Sequence, residues 1–245
     1  MKISIVGLGW FGEALAQGLK TQHDIFGTTR SEEKILTFSK QHIQAEKLTA
    51  VDLPSEELLS ADVIVLNIPP FAGQLEWFKK WPWNKKAHLV FISSTSVYGT
   101  NTGEVDETTL PLPETENGKI LLEEEEWIKS FPKYTIIRFG GLIGGNRHPG
   151  KFLSGRLNLS GGNLPVNLIH LQDCIGFTKL VIDKKLFGET FNLAHPEHPQ
   201  RRDYYQSFCL GNNLPLPQFI DSPETGKVIS STKVLNHYHF SISIF

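Results

Sequence analysis

An α/β fold with a doubly wound parallel sheet and a small C-terminal cap on the substrate side is predicted for this chain. Three observations predict it. Apolar strand-like runs alternate with helix-like stretches through the first 139 residues. A G-x-G-x-x-G turn joins the first strand to the first helix, and from Gly140 onward the chain becomes loop-rich. Continuous apolar strands separated by helices imply a parallel sheet covered on both faces. Right-handed crossovers then wind it in two directions.

Taken in order, Ile3, Ile5 and Val6 read as a short buried strand. Gly7, Gly9 and Gly12 form the turn, with Trp10 and Phe11 between the last two, and Glu13 to Leu19 continue as a helix. In a dinucleotide-binding turn such glycines give a tight bend, close approach of backbone to pyrophosphate, and close packing of helix on strand. Phosphates then rest on N–H groups at the positive end of the helix dipole. Asp24 to Thr29 is a second strand, and Ser31 to Lys40 a helix with Ser31 at its N-cap. Gln44 to Val51 reads as a third strand and Ala61 to Ile68 as a fourth, stopped by Pro69-Pro70. Gln74 to Trp81 has helical spacing, and Ala87 to Ser94 is a fifth strand. A polar, proline-bearing loop runs to Glu116, a helix follows to about Ser130, and Tyr134 to Phe139 is a sixth strand.

Beyond it, Gly140-Gly141, Gly144-Gly145, Pro149-Gly150 and Gly161-Gly162 punctuate short segments, and no linker divides the chain. One domain over 1–245 is expected, with a dinucleotide-binding core over approximately 1–139. The remainder, 140–245, is read as a cap at the carboxyl ends of the strands, where such folds bind ligands.

Composition narrows the function classes. Apolar residues make up 40% and charged residues 20%, as in a soluble globular protein. A net charge of −2 gives no support to nucleic-acid or membrane attraction. Two cysteines, Cys174 and Cys209, argue against a disulfide framework and for a reducing compartment. A strand opening at residue 3 leaves no room for a signal peptide, and no apolar run spans a bilayer, so a cytoplasmic location is expected.

The second strand ends in Thr28-Thr29-Arg30-Ser31, without the carboxylate that accepts the adenosine ribose hydroxyls in an NAD site. A guanidinium there can clamp a 2′-phosphate, with Thr29 and Ser31 adding hydroxyls. NADP is therefore expected as cofactor, with NAD as the alternative.

Together these residues resemble the extended branch of the short-chain dehydrogenase/reductase superfamily, close to its NAD(P)-dependent epimerase/dehydratase-like proteins, with a Rossmann-type core. The resemblance runs over nearly the whole chain. It is carried by the glycine turn, Asp52-Leu53, Ile92-Ser-Ser-Thr-Ser-Val-Tyr-Gly99, Ile137-Arg-Phe-Gly-Gly-Leu-Ile-Gly144, Ile169-His-Leu-Gln-Asp173 and Phe191-Asn192-Leu193. It implies that Asp52 and Leu53 approach the adenine and that Asn67, Ile68 and Pro69 line the cofactor cleft. It places Ser94 where the family has its substrate-polarising hydroxyl, with Thr95 beside it, and puts His170 and Asp173 on the substrate side.

One part of the pattern is missing. The family's acid/base pair is Tyr-x-x-x-Lys on the helix after the fifth strand, where the lysine charge lowers the phenol's pKa. No tyrosine here has a lysine four residues later. Aligned through Gly118 and Glu123-Glu124-Glu125, Asn117 stands for the tyrosine and Leu121 for the lysine. The other register, Thr115 with Lys119, keeps a cation and loses the phenol. Helical spacing puts Asn117, Ile120, Leu121, Trp127, Ile128 and Phe131 on the sheet-facing side; Glu124 lies on that side too, within a run of four glutamates that is mostly a solvated surface. Tyr98 is the nearest phenol to Ser94 and the candidate replacement acid.

The remaining residues weigh less. Arg147 is the best cation for gripping an anionic substrate group. His195-Pro-Glu-His198 reads as a loop, and His237 and His239 alternate on an expected C-terminal strand, with no metal site implied. Trp77, Trp81 and Trp83 among lysines fit an amphipathic helix. The expected activity is that of an epimerase/dehydratase-like oxidoreductase with an atypical site, acting on an unidentified small molecule as a monomer or homodimer. The alternative is an NADP(H)-binding redox-sensing or scaffold protein without turnover.

Overall fold

The computed structural model describes residues 1–221 and 223–242. The chain opens with β1 (Lys2–Val6), α1 (Trp10–Leu19), β2 (Asp24–Thr29), α2 (Glu32–Lys40) and β3 (Gln44–Lys47). Next come α3 (Glu56–Leu59), β4 (Val63–Leu66), α4 (Gln74–Lys79) and β5 (His88–Ser94). A 3-10 turn over Thr95–Tyr98 leads to β6 (Gly103–Val105), α5 (Glu116–Ile128), β7 (Tyr134–Phe139) and β8 (Gly141–Ile143). The last elements are α6 (Pro149–Leu153), β9 (Leu168–His170), α7 (Leu171–Lys184), β10 (Glu189–Leu193), α8 (Arg201–Gly211) and β11 (Lys227–Ile229).

Seven strands form one sheet in the order β10-β7-β5-β4-β1-β2-β3. The pairs β2–β3, β1–β2, β1–β4 and β4–β5 are all parallel. Winding reverses at β1, which has β2 on one side and β4 on the other. Its carboxyl end is therefore the switch point at which folds of this class bind ligands. Ile3, Ile5, Val63, Ile64, Val65 and Leu66 are all buried, which is why β1 and β4 read as unbroken apolar runs. Ser4 is the polar exception within β1, and its hydroxyl donates to the Leu58 carbonyl at 2.8 Å.

The chain divides into two compact units. The first comprises Met1–Val97, Pro113–Arg138 and Ile175–Phe191. The second comprises Tyr98–Leu112, Phe139–Cys174 and the described part of Asn192–Phe245. Within the second, β6 pairs with β11 and β8 with β9, both parallel, beside a small core of Ile143, Val166, Leu168 and Tyr205.

In the first unit α5 is fixed to the sheet by a buried ion pair. Arg138 of β7 meets Glu125 at 2.5 Å, and Ser93 of β5 donates to the same carboxylate at 2.6 Å. The helix buries Gly118, Leu121, Glu124, Glu125 and Ile128, while Asn117 is exposed. Leu121, Ile128 and Phe131 are thus buried as expected, whereas Asn117 is exposed and Gly118 and Glu125 are buried in addition. The glutamate run is also split, with Glu124 and Glu125 inside and Glu123 and Glu126 outside. Two further expectations are corrected. β3 ends at Lys47 rather than Val51, and Lys233–His237 forms a π-helical turn where a strand through His237 was expected.

Aromatic rings fill the space against α4 and α5. Trp77 and Trp81 lie 4.8 Å apart, Trp81 and Trp83 5.0 Å, and Trp83 and Trp127 5.5 Å, centre to centre. Contacts at these separations add to the energy of simple burial. The expected amphipathic helix holds for Trp77, with Lys79 exposed, but α4 ends at Lys79 and Trp81 and Trp83 lie beyond it.

Candidate functional site

The three glycines of the turn do different work. Gly7 has φ +101, and a Cβ there would lie 2.3 Å from the Asn67 carbonyl oxygen. At Gly12 a Cβ would lie 2.1 Å from the Gly7 carbonyl oxygen, so only glycine lets α1 pack so close to the turn. At Gly9 nothing in the chain lies within 4 Å of an added Cβ. Packing within the protein demands the first and third glycines, while the second keeps open space above the start of α1. That is the arrangement a dinucleotide pyrophosphate requires.

The turn is held rigidly. Gly7 N–H donates to Thr28 Oγ1 at 3.0 Å, and Leu8 N–H to the Thr28 carbonyl at 2.7 Å. Asn67 Nδ2 donates to the Gly7 carbonyl at 3.1 Å. Gly9 is the N-cap of α1 and supplies no side chain to its first turn; the helical ladder opens with Glu13 N–H to Gly9 O at 2.8 Å. Phe11 is buried and Trp10 half-buried, so both shape the support of the turn.

A groove of about 710 Å³ runs over the turn. Gly7, Gly9, Thr29, Arg30, Ser31, Asn67, Ile68 and Pro69 all line it, so eight of the residues singled out in the sequence are brought together. Lys34, Thr49, Ala50, Phe71 and Trp77 line it too and were not anticipated. Lys34 carried a readable signal, because it sits one turn beyond Arg30 at the start of α2. The nearby Glu32 carboxylate is engaged by Lys47 at 2.7 Å, whose hydrogen bond holds its pKa below the ordinary value. Two cations, Arg30 and Lys34, therefore border this part of the groove.

Asp52 and Leu53 are not among the lining residues. The Asp52 carboxylate accepts from Thr49 Oγ1 at 2.6 Å and Thr49 N–H at 2.9 Å, and these bonds lower its pKa. Only the Asp52 main chain serves the groove wall, its carbonyl accepting from Trp77 Nε1 at 2.7 Å. Leu53 is exposed.

At the end of β5, Ser94 is half-buried and its Oγ accepts from Ser96 N–H at 3.1 Å. Thr95 is buried at the start of the 3-10 turn. A Cβ on Gly118 would lie 3.0 Å from the Ser96 carbonyl oxygen, so the first turn of α5 rests directly on the turn after Ser94. Asn117 is in that first helical turn, and Leu121 one turn on is buried. Thr115 Oγ1 caps the helix by accepting from Gly118 N–H at 3.1 Å. Lys119 is exposed and bound to Glu116 at 2.6 Å. Neither register supplies a phenol with an adjacent ammonium.

Tyr98 belongs to the second unit and is fully buried. Its hydroxyl meets the Asp106 carbonyl at 2.8 Å and Asn192 Oδ1 at 2.9 Å. A phenol so enclosed ties two segments of that unit together, Tyr98–Leu112 and the one that begins at Asn192. In the same unit His170 packs on Gly144, where a Cβ would lie 2.7 Å from its Nε2. Arg147 is exposed and exchanges main-chain hydrogen bonds with Gly144, each 3.0 Å. His170 and Arg147 are thus organised around one glycine.

Comparison with known proteins agrees with this architecture. Residues 2–94 match the family described as NADP oxidoreductase coenzyme F420-dependent. A functionally unknown conserved protein from Silicibacter pomeroyi DSS superposes with a TM-score of 0.81 at 17% identity, covering 99% of this chain and 94% of that one. UDP-glucuronic acid 4-epimerase from Bacillus cereus, solved with NAD, gives 0.79 at 20% identity over 100% and 94% of the two chains. dTDP-glucose 4,6-dehydratase from Bacillus anthracis, solved with NAD, gives 0.79 at 15% identity over 100% and 92%. The chain shares its fold with these epimerase and dehydratase structures. Protein YeeZ of Escherichia coli strain K12 is 31% identical over 98% of this chain and 94% of its own length. The chain belongs to the YeeZ family.

Proposed function

We propose that this protein binds NADP(H) on the glycine turn and is an epimerase/dehydratase-like oxidoreductase whose active site lacks the Tyr-Lys pair. The observation that carries the reading is Gly9, whose missing side chain serves no contact within the protein while opening the groove. Arg30 and Lys34 border that groove and offer two positive charges to a 2′-phosphate. A nicotinamide cofactor supplies hydride chemistry when bound. Ser94 then orients a substrate oxygen by hydrogen bonding, and Asn117 offers an amide that can donate but cannot exchange a proton at neutral pH. His170 and Arg147 are the substrate-side residues of this reading. The buried, satisfied phenol of Tyr98 favours a second reading, a redox-sensing or scaffold protein that binds the dinucleotide without turning it over.

Titration with NADPH and NADH tests the cofactor assignment. NADPH is expected to bind more tightly, and Arg30→Ala to remove most of the difference. A charge-assisted hydrogen bond to the phosphate is worth ~1.5–3 kcal/mol, roughly one to two decades in affinity. Equal affinity for both in the unaltered protein would overturn the NADP assignment. A reducing compartment suits the two buried free thiols, Cys174 and Cys209. Among the described residues no helix is long and apolar enough to cross a membrane.

A further inference from the structure

A second cavity, of about 500 Å³, lies at the amino ends of β4 and β5, at the opposite end of the strands from the glycine turn. Lys86, Lys133 and Lys185 line it against a single carboxylate, Asp62. That carboxylate already accepts from the Lys2 main-chain N–H at 3.0 Å. The Lys133 ammonium is anchored at the wall by donating to the Lys86 carbonyl at 3.2 Å, and lies 5.7 Å from the centre of the Phe187 ring. Phe187 is itself 38% exposed, so part of an aromatic side chain stays open to solvent.

The wall behind these groups is fixed and uncharged. His88 meets the Phe187 ring edge-on at 4.6 Å and hydrogen-bonds Thr135 Oγ1 at 2.7 Å. The Thr135 hydroxyl donates to the Leu186 carbonyl, so it can only accept from His88, whose Nε2 therefore carries the proton. Burial first, and the Lys133 charge second, lower the His88 pKa to about 4 and keep the ring neutral. Positive charge in the cavity thus rests on the three lysines. Lys185 holds a left-handed backbone with φ +53, a conformation glycine or asparagine adopts more cheaply.

We propose that this cavity binds a small organic phosphate monoester, its dianionic head on the three ammonium groups and its apolar body on Phe187. Three cations against one occupied carboxylate suit a dianion better than a monoanion, and the exposed ring suits a planar body. The site is independent of the dinucleotide groove and does not rest on the function proposed for it.

Calorimetric titration with phenyl phosphate, benzoate and inorganic phosphate tests the site. Phenyl phosphate should bind saturably and roughly tenfold more tightly than either partial probe, with affinity falling as salt is added. Lys86→Met and Lys133→Met should each weaken it about tenfold. Lys185→Gly should also weaken it, with no loss of thermal stability because glycine relieves the backbone. Arg30→Ala, which addresses the other groove, should leave it unchanged. No saturable binding would overturn the proposal. So would binding lost in Arg30→Ala but intact in the lysine variants, since the anion would then sit by the glycine turn.

Discussion

At the scale of single residues, the turn separates a glycine needed by a ligand from glycines needed by the fold. Gly9 has φ −88 and ψ −159, a conformation open to any residue, with nothing near its missing Cβ. Gly9→Val is expected to keep thermal stability to within about 1 kcal/mol and to lose dinucleotide binding. Gly12→Ala forces a contact at 2.1 Å and should destabilise by about 1–3 kcal/mol or more. Melting curves and cofactor titrations on both variants check the contrast; a Gly9→Val protein that binds normally means the cofactor is not on this turn. Tyr98 gives the complementary case. Tyr98→Phe removes the one hydroxyl proton that the Asp106 carbonyl and Asn192 Oδ1 share, a loss of about 1–3 kcal/mol. Its effect should appear in denaturant midpoints rather than in any catalytic rate.

At the scale of elements, α5 combines two opposite treatments of a buried carboxylate. Glu125 is paired with Arg138, whereas Glu124 is buried with neither oxygen partnered among the described residues. Burial, helped by the neighbouring Glu123 charge, raises the Glu124 pKa from 4.5 to about 8. The folded state holds this proton more tightly than the unfolded chain does. Its contribution is therefore complete below the ordinary carboxylate pKa and is lost as pH rises towards about 8. Urea midpoints should fall between about pH 5 and about pH 8.5 in the unaltered protein, and much less in Glu124→Gln. Parallel falls in both would mean another group is responsible. The same helix shows where sequence reading stops. β1, β4 and the glycine turn were legible because burial on both faces leaves an apolar run and a backbone constraint leaves glycine. The burial of Glu125 was not, because it is paired with an arginine 13 residues further on, a pairing that helical periodicity does not register. The local partner of Asp52 was not legible either: one of its carboxylate oxygens accepts from Thr49, three residues away, and its carbonyl supports the groove wall.

At the scale of the whole molecule, the proposed function joins a dinucleotide groove to an active site without the Tyr-Lys pair. In the register proposed above, Asn117 and Leu121 replace the tyrosine and lysine of the short-chain dehydrogenase/reductases, and general acid catalysis is typically worth ~10²–10⁴-fold. We expect slow or undetectable oxidation of ordinary secondary alcohols and sugar nucleotides despite measurable cofactor binding. A carbonyl-substrate screen with NADPH, run on the unaltered protein and on Ser94→Ala, checks this. Brisk turnover insensitive to Ser94→Ala would refute the assigned register of α5.

The tryptophans of the first unit carry a consequence of their own. Trp77 belongs both to the groove wall and to the chain of neighbours formed with Trp81, Trp83 and Trp127. Rings so close share electronic excitation faster than they emit it, so light absorbed by any of the four can drain towards whichever lies beside an acceptor. Reduced nicotinamide cofactors absorb where tryptophan fluoresces. The protein should therefore behave as its own optical gauge of groove occupancy. Adding NADPH should dim its emission further than quenching of a single indole would, and Trp77→Phe should blunt that response. Emission that stays constant while NADPH demonstrably binds would place the cofactor away from Trp77.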